Sequence, residues 1–277
     1  MEIRLIVTEK IALIEYLKSQ HFSENLIHKF QLNPGLISVN GEKQSSLQVT
    51  LTVNATVLIT LPPETSEIPA IPNTFLDIVY EDDYLLVINK PHDLSVIGTK
   101  AHYTNNLAGY IMYYYQNQEI KATVHYVNRL DRATSGLILV AKHQYIHALF
   151  AKTHICKKYL AEVYGKINGS GVIDFPIKKS NQPRSIIYEV NPNGQVATTK
   201  YEVIATTNLT SEIEAELVTG RTHQLRVHFA YLDHPIVGDE LYGKTEQPTF
   251  LHLQSNYLAF IHPITKKQIV LQLPKEW

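Results

Sequence analysis

The sequence predicts an α+β fold built on a mixed sheet, and three observations support this prediction. Short apolar runs rich in branched residues, which are typical of buried strands, alternate with segments whose apolar residues recur at helical spacing. Four of the thirteen prolines and no glycine fall within residues 61–74, which is typical of a stiff linker. The last two predicted strands form a hairpin. We therefore expect a small module at 1–61, a linker at 62–74 and a main domain at 75–277.

The N-terminal module is predicted to contain two short helices and a small sheet. Residues 12–30 have helix-like apolar spacing, and Leu36–Val39 leads into Asn40-Gly41, a strong signal for a hairpin turn. Strand-like sequence follows at 47–61. A module of about sixty residues is too small to be strongly stable alone.

The main domain continues with alternating strands and helices. In chain order, the predicted elements are a strand at Tyr84–Ile88, a helix at Leu107–Tyr115, a strand at Leu137–Ala141, a helix marked by Ile146, Leu149 and Phe150, a strand at Lys158–Gly165, and a closing hairpin of Tyr257–Ile261 with Gln268–Leu273. Such a mixture is typical of an α+β domain.

Composition narrows the class of protein. The 277 residues are 44% hydrophobic, but no apolar run approaches the roughly 18 residues of a membrane span. The first ten residues lack the basic-then-apolar layout of a signal peptide, so we expect a cytoplasmic location. The single cysteine, Cys156, excludes an intrachain disulfide and any multi-cysteine metal site. No coiled-coil heptad is visible, which favours a monomer.

The charge is unevenly distributed, although the net charge is only −1. Residues 121–185 contain eleven Lys and Arg against three acids, while residues 64–93 contain seven acids against one base, Lys90. A basic stretch around a candidate active site is typical of proteins that act on nucleic acids. A solvated basic face is the alternative interpretation.

The segment Arg129-Leu130-Asp131-Arg132 is the strongest candidate for chemistry. It places one carboxylate between two guanidinium groups, directly before the buried strand predicted at Leu137–Ala141. Loops held at a sheet end are where catalytic residues concentrate. We therefore expect Asp131 to be ionised and fixed in position.

A second cluster spans Thr219–His228 and is predicted to begin a helix. Thr222 could cap this helix, and Leu225 and Phe229 would share its apolar face. Arg221 would then lie at a strand-to-helix junction, free to reach a carboxylate. Sequence alone leaves a pair between Arg221 and Asp131 as a guess.

Three other chemistries have weaker support. His223, His228 and His234 do not have the i, i+4 spacing of zinc-binding helices. Ser135 lacks the glycine two residues earlier that the serine-hydrolase elbow requires. Nothing in the sequence orients His154 toward Cys156 as a thiol enzyme would need.

Several motifs, in order, resemble the RluA-type pseudouridine synthases over nearly the whole of 75–277. These motifs are EDDYLLVINKP at 81–91, NRLDRATSGL at 128–137, Lys157 with Tyr159, TGRTHQLRVH at 219–228 and HPIVGDELYG at 234–243. The resemblance implies a largely antiparallel central sheet with flanking helices. It also implies isomerisation of uridine to pseudouridine in ribosomal or transfer RNA, with no cofactor and no metal.

The resemblance also implies roles for single residues. Asp131 would be the nucleophile on a flipped-out uridine, Arg221 would pair with Asp131, and Tyr159 would stack on the uracil and assist removal of its proton. Arg129 would fill the space that the flipped base vacates. Further residues expected to contact the substrate or the RNA are Leu225, Lys157 and Lys90.

Two positions depart from the family pattern. Asn128 stands where a histidine usually precedes Arg-Leu-Asp, and Asp93 stands where a glycine usually follows Lys-Pro. Both bear on the shape of the loop that faces the RNA. The module at 1–61 resembles a small RNA-binding domain, with LISVNGE at 36–42 as the best match, but its five bases are balanced by five acids.

Two other functions remain as alternatives. The chain could be an RNA-binding or ribosome-assembly factor whose catalysis is incidental, as the basic stretch at 121–185 would allow. A hydrolase that uses Asp131 as nucleophile is a more distant alternative, because no second carboxylate is suitably spaced to activate water.

Overall fold

The computed structural model describes residues 1–73, 75–98, 104–182, 186–243 and 250–277. Thr74, the last residue of the predicted linker, lies outside the described residues. The α-helices of the described residues are α1 (Leu13–Ser19), α2 (Glu24–Leu32), α3 (Leu107–Asn117), α4 (Gln144–Leu149) and α5 (Gln224–Tyr231). Short 3-10 helices span Pro34–Leu36 and Phe150–Lys152.

Strands make up most of the regular structure. In chain order they are β1 (Glu2–Ile6), β2 (Ile11–Ala12), β3 (Ile37–Val39), β4 (Glu42–Lys43), β5 (Thr50–Leu51), β6 (Thr56–Thr60), β7 (Ile78–Glu81), β8 (Leu85–Lys90), β9 (His125–Tyr126), β10 (Ser135–Ala141), β11 (Ile155–Tyr164), β12 (Ser170–Asp174), β13 (Ile177–Lys179), β14 (Tyr188–Val190), β15 (Thr198–Thr206), β16 (Thr210–Leu217), β17 (Leu253–Ile261) and β18 (Gln268–Gln272).

A ten-stranded sheet forms the centre of the main domain. Its strand order is β12-β15-β16-β11-β17-β10-β8-β7, with β18 paired to β17 and β9 paired to β10. All of these pairs are antiparallel except β10 with β17. The predicted α+β class with a mixed, largely antiparallel sheet is therefore confirmed.

The parallel pair brings β10 close to β17 at a glycine. Gly136 has a φ of +103°, and a Cβ at this position would lie 2.3 Å from the carbonyl oxygen of Ser255. Only glycine allows this approach without strain. The close contact fixes the start of β10, which directly follows the loop that contains Asp131.

The central strand β10 is buried on both faces and separates two hydrophobic cores. Leu137 and Leu139 face a core that also contains residues of the N-terminal module, whereas Ile138 and Val140 face a core that contains α3 and α5. Alternate strand residues point to opposite faces, so a continuous apolar run is what a doubly covered strand requires.

The N-terminal module packs directly against the main domain. Its four-stranded sheet has the order β1-β6-β3-β4. Phe22 stacks on Tyr145 of α4 with ring centroids 4.0 Å apart, and the Tyr145 hydroxyl donates to the carbonyl oxygen of Gln20 at 2.8 Å. The Tyr84 hydroxyl donates to the carbonyl oxygen of Glu2. Because one core runs through both parts, the module helps to cover the central sheet.

Most predicted elements appear near their predicted positions, with two informative differences. The strand-like stretch at 47–61 is broken into β5 and β6 by a turn at Asn54, which has a φ of +65°. Helix α5 begins at Gln224, and its N-cap is His223 rather than Thr222. In the described residues no helix is both long and apolar enough to cross a bilayer.

Candidate active site

Asp131 lies in the loop that leads into β10, on the wall of a cavity of about 520 Å³. Its side chain is 28% exposed, so one carboxylate oxygen can meet a ligand while the residue stays anchored. The backbone N–H of Thr134 donates to the Asp131 carbonyl oxygen at 3.2 Å and closes a turn around the residue. The cavity volume falls within the range of about 300–1,000 Å³ that small-molecule sites have.

Lys90 holds this loop from inside the protein. It is fully buried, and its Nζ donates to the carbonyl oxygens of Pro91 at 2.8 Å, Leu94 at 3.0 Å and Arg132 at 3.0 Å. Burial lowers the pKa of Lys90 to about 7, although the negative charge of Asp131 opposes this shift. The prediction that Lys90 contacts RNA is therefore wrong, because its ammonium group is used to join two loops beside Asp131.

Asn128 holds the other end of the same loop. Its Nδ2 donates to the Leu137 carbonyl oxygen at 3.1 Å, and its Oδ1 accepts the N–H of Leu139 at 2.7 Å. The buried amide supplies one donor and one acceptor to the backbone of β10. This departure from the family pattern therefore lies inside the protein and supports the loop.

Arg226 is the guanidinium group that faces Asp131. It lies on α5, and its Nη1 is 3.8 Å from Asp131 Oδ2. The same side chain forms a bidentate pair with Asp239, in which Nε donates at 2.8 Å and Nη2 donates at 2.7 Å. Bidentate pairs fix an arginine in both position and orientation. Asp239 itself is held by the backbone N–H groups of Leu241 and Tyr242.

His223 approaches Asp131 from the start of α5, with Nε2 3.9 Å from Oδ2. The Tyr242 hydroxyl oxygen accepts the N–H of Tyr188 at 2.8 Å and lies 2.8 Å from His223 Nδ1. We assign the phenol proton to Nδ1, which leaves Nε2 protonated and directed toward Asp131. Burial lowers the pKa of His223, while Asp131 opposes this shift, so the ring is a neutral donor at neutral pH.

Tyr159 is 5% exposed and does not line the cavity of Asp131. Burial, together with the negative charge of Asp131, raises the pKa of Tyr159 to about 12. The phenol is therefore protonated at neutral pH. Tyr159 belongs to the same hydrophobic core as Leu130 and Leu225.

Asp93 also lines the cavity of Asp131. Its φ is +58°, a backbone conformation that glycine adopts readily, which explains why the family pattern has glycine there. Asp93 Oδ1 is 3.5 Å from Arg132 Nη2, and both side chains are about half exposed. The substituted position thus adds a carboxylate that faces an arginine next to Asp131.

The structure does not bring Arg221 to Asp131, so the predicted pair is wrong. Because α5 begins only at Gln224, Arg221 lies in the preceding turn, where Nε donates to the Val196 carbonyl oxygen at 2.8 Å. Arg226, five residues later, occupies the place that was predicted for Arg221.

The remaining predicted residues lie around the site at different depths. Arg129 is exposed and lines a neighbouring cleft, and Leu225 is buried in the core beside Tyr159. Lys157 pairs across the sheet with Leu258, which belongs to the core shared with the N-terminal module, and burial lowers the pKa of Lys157. Lys157 does not line the cavity of Asp131.

Sequence reasoning missed Arg226, His223, Tyr242 and Asp239 as members of the site. All four lie within the two motifs at 219–228 and 234–243. A usable signal was present, because a helix with an apolar face at Leu225 and Phe229 needs a partner for any arginine that it buries, and Asp239 follows in the next motif.

Comparisons with known proteins show the family of this chain. The family model described as RNA pseudouridylate synthase matches residues 84–231. A Bacillus subtilis protein, Uncharacterized RNA pseudouridine synthase YjbO, is 37% identical over 268 residues, which cover 94% of this chain and 94% of that protein. The chain belongs to the RNA pseudouridylate synthase family. The predicted RluA-type resemblance and the predicted enzyme class, an RNA pseudouridine synthase, are thereby confirmed.

Relatives in this family include enzymes named for the ribosome. Ribosomal large subunit pseudouridine synthase D of Zymomonas mobilis is 36% identical over 234 residues, covering 77% of this chain and 73% of that protein. Ribosomal large subunit pseudouridine synthase C of Vibrio cholerae is 32% identical over 270 residues, covering 88% of this chain and 83% of that protein. The solved structure of Human RNA Pseudouridylate Synthase Domain Containing 1 has a TM-score of 0.61 and 26% identity to this chain. The match covers 73% of this chain and 85% of that structure's chain.

Proposed function

We propose that this pseudouridine synthase isomerises specific uridines of large-subunit ribosomal RNA, with Asp131 as the nucleophile. The observation that carries the proposal is the position of the Asp131 carboxylate on the wall of a cavity, with its Oδ2 3.8 Å from Arg226 Nη1 and 3.9 Å from His223 Nε2. The names of the relatives from Zymomonas mobilis and Vibrio cholerae support ribosomal RNA over transfer RNA as the substrate.

The surroundings of Asp131 suit a carboxylate that must attack and then leave. Arg226 supplies a positive charge, and two of its five N–H donors are held by Asp239 at 2.7 and 2.8 Å. At 3.8 and 3.9 Å, Arg226 and His223 attract the carboxylate without forming short hydrogen bonds to it. The oxygen that faces the cavity thus keeps its lone pairs for the substrate.

The reaction is an isomerisation, so atoms balance without a co-substrate. The bond between uracil N1 and the ribose breaks, the uracil turns within the cavity, and carbon 5 of the ring bonds to the ribose. The proton of carbon 5 is then lost, and N1 gains a proton. We assign Asp131 to the attack on the nucleoside and, once released, to acceptance of the proton from carbon 5.

Tyr159 is proposed to support the uracil ring rather than to act as a base. Because burial raises the pKa of Tyr159 to about 12, a phenolate is disfavoured at neutral pH. A protonated aromatic side chain still offers a flat apolar surface to a base. This assignment keeps the predicted stacking role and transfers proton removal to Asp131.

The target base must leave its stack to reach the cavity. Arg129 is exposed and lies two residues before Asp131, so it can enter the space that the base vacates.

We further propose that the enzyme acts as a cytoplasmic monomer without a metal ion. Within the described residues, no group of three or more His, Cys, Asp or Glu is placed to hold a metal.

Pseudouridine mapping across total RNA tests the proposed function. The strains to compare are a deletion strain and deletion strains that carry the wild-type gene, Asp131→Asn or Asp83→Asn. Asp83→Asn removes an exposed carboxylate outside the cavity and serves as the matched control. We expect one or a few large-subunit positions to be lost in the deletion and Asp131→Asn strains and restored by the other two genes.

Two results would redirect the proposal. Sites confined to transfer RNA would overturn the substrate while leaving the role of Asp131 intact. If Asp131→Asn restores every phenotype of the deletion strain, the chain is better described as an RNA-binding or ribosome-assembly factor.

A further inference from the structure

A second cleft, of about 520 Å³, lies beside the loop of Asp131 and is lined by bases. Its four basic side chains are Arg129, Lys178, Lys179 and Arg221, and no Asp or Glu is among the described residues that line it. The cavity of Asp131, by contrast, is lined by three acids, Asp93, Asp131 and Glu240, together with the bases Arg132 and Arg226. The two hollows therefore differ in the ligand charge that they favour.

These four bases have no acidic partner among the residues that the structure describes. Within the described part of the chain, none of them lies within 4.0 Å of a carboxylate. Some bases elsewhere are paired, such as Lys142 with Glu81 and Arg226 with Asp239, and others, such as the exposed Lys152, stand singly on the surface, so the distinguishing feature of the cleft is that it gathers four bases. Unpaired positive charges gathered in one concave surface repel one another unless an anion binds there.

The backbone around the cleft is fixed rather than loose. The N–H of Ile177 donates to the Gln195 carbonyl oxygen and the N–H of Gln195 donates to the Ile177 carbonyl oxygen, both at 2.9 Å. A Cβ at Gly194 would lie 2.5 Å from the backbone carbon of Ile177, so glycine is needed for this approach. The bond from Arg221 Nε to the Val196 carbonyl oxygen fixes that guanidinium.

The cleft is joined to the catalytic cavity through the chain itself. Arg129 lies two residues before Asp131, and Arg221 lies two residues before His223, whose ring faces Asp131. Two residues span at most about 7 Å, so the cleft is within reach of an RNA strand whose uridine enters the cavity.

We propose that this cleft binds the phosphodiester backbone of the substrate RNA beside the flipped uridine, with Arg221 as its central contact. The inference rests on the proposed function, which supplies the RNA strand at Asp131. Arg221 thus contributes to RNA affinity, whereas Arg226 positions and stabilises the carboxylate of Asp131. A guanidinium with its Nε anchored still presents its terminal nitrogens to a phosphate.

The test measures how salt weakens RNA binding. Fluorescence anisotropy of a labelled 20-nucleotide oligouridylate would be recorded from low to high KCl for the wild type, Arg221→Gln, Arg221→Lys and the double variant Lys178→Gln with Lys179→Gln. Each phosphate contact contributes about 0.7 to the slope of log K against log salt for single strands. Arg221→Gln should weaken binding about tenfold and lower the slope by about 0.7, and Arg221→Lys should keep most of the slope.

A matched control removes the same charge elsewhere. Lys152→Gln alters an exposed lysine in the short 3-10 helix after α4, outside the cleft. Its slope should equal that of the wild type. RNA binding is also measured in sodium phosphate and in KCl at equal ionic strength. If phosphate weakens RNA binding more than KCl does, the cleft is a site for free phosphate rather than for the RNA backbone.

The outcomes keep the two proposals apart. If the wild type forms pseudouridine in total RNA from a deletion strain but Arg221→Gln binds RNA with an unchanged slope, the cleft proposal is overturned and the proposed function stands. Equal loss in Lys152→Gln would also overturn it, since the effect would then be one of net charge. If the wild type forms no pseudouridine at all, the proposed function fails, whatever the binding data show.

Discussion

Arg226→Met is expected to lower both the stability of the protein and the rate of pseudouridine formation, for two separable reasons. The guanidinium is the buried partner of Asp239, with hydrogen bonds of 2.8 and 2.7 Å, and it is also the cation that faces Asp131 at 3.8 Å. Methionine has a similar length and no charge, so it removes both interactions with little change in packing.

The loss of stability follows from the charge left behind. The side chain of Arg226 is 5% exposed and that of Asp239 is fully buried. Removal of one partner from a buried pair costs about 3–5 kcal/mol. Two backbone N–H groups still bind Asp239, so we expect the lower end, about 3 kcal/mol. Since a protein of this size loses about 2–4 °C per kcal/mol, the midpoint of thermal unfolding should fall by about 6–12 °C.

The catalytic loss is measured separately from the loss of stability. Single-turnover conversion of total RNA from a deletion strain should slow about 100-fold, the scale expected when a reacting group is misplaced by about 1 Å. Urea unfolding gives the free energy of unfolding of the same sample. The double variant Arg226→Met with Asp239→Asn removes the orphaned carboxylate, so it should regain stability over the single variant without regaining rate.

Two results would refute this reasoning. A single variant whose free energy of unfolding falls by less than about 1 kcal/mol would show that Asp239 does not depend on the guanidinium. A variant that keeps the wild-type rate would show that Arg226 has no part in placing or stabilising Asp131.

Two further predictions concern the groups around the loop that contains Asp131. Burial lowers the pKa of Lys90 to about 7, whereas an unfolded lysine has a pKa of about 10.4, so the unfolded chain binds more protons between these values. Stability should therefore rise from pH 7 to pH 10 by up to about 1.4 kcal/mol per pH unit, and Lys90 should add no slope below pH 6. Urea unfolding at each pH, compared with Lys90→Met, checks this, and identical profiles for the two proteins would contradict it. Tyr242→Phe removes the hydroxyl beside His223 Nδ1 and should shift the ring away from the Nε2–H tautomer, with about a tenfold loss in kcat. Nitrogen chemical shifts of His223 report the tautomer, and unchanged shifts would rule out the assigned proton position.

The fold could be predicted because its signals are local. The apolar run of β10 predicts a strand buried on both faces, and the Asn40-Gly41 turn appears as predicted, with φ of +50° and +88°. The packing of the N-terminal module onto the main domain was not predictable, because the Phe22–Tyr145 contact joins residues that local patterns do not connect.

The site was predictable only in part for the same reason. Asp131 could be identified because a lone acid between two arginines is unusual next to a buried strand. The choice between Arg221 and Arg226 depended on where α5 begins, and helix boundaries are uncertain by a few residues. The burial of Lys90 also escaped prediction, since its three carbonyl partners come from two loops that are distant in sequence.

The central claim is that the enzyme isomerises uridine in RNA with Asp131 as its nucleophile. The most direct measurement is the amount of pseudouridine and of free uracil that purified wild type and Asp131→Asn produce from total RNA of a deletion strain. We expect the wild type to form pseudouridine at defined positions without releasing uracil, and Asp131→Asn to form none. Pseudouridine at the wild-type rate in Asp131→Asn would contradict the claim, and released uracil with no pseudouridine would show a hydrolase instead.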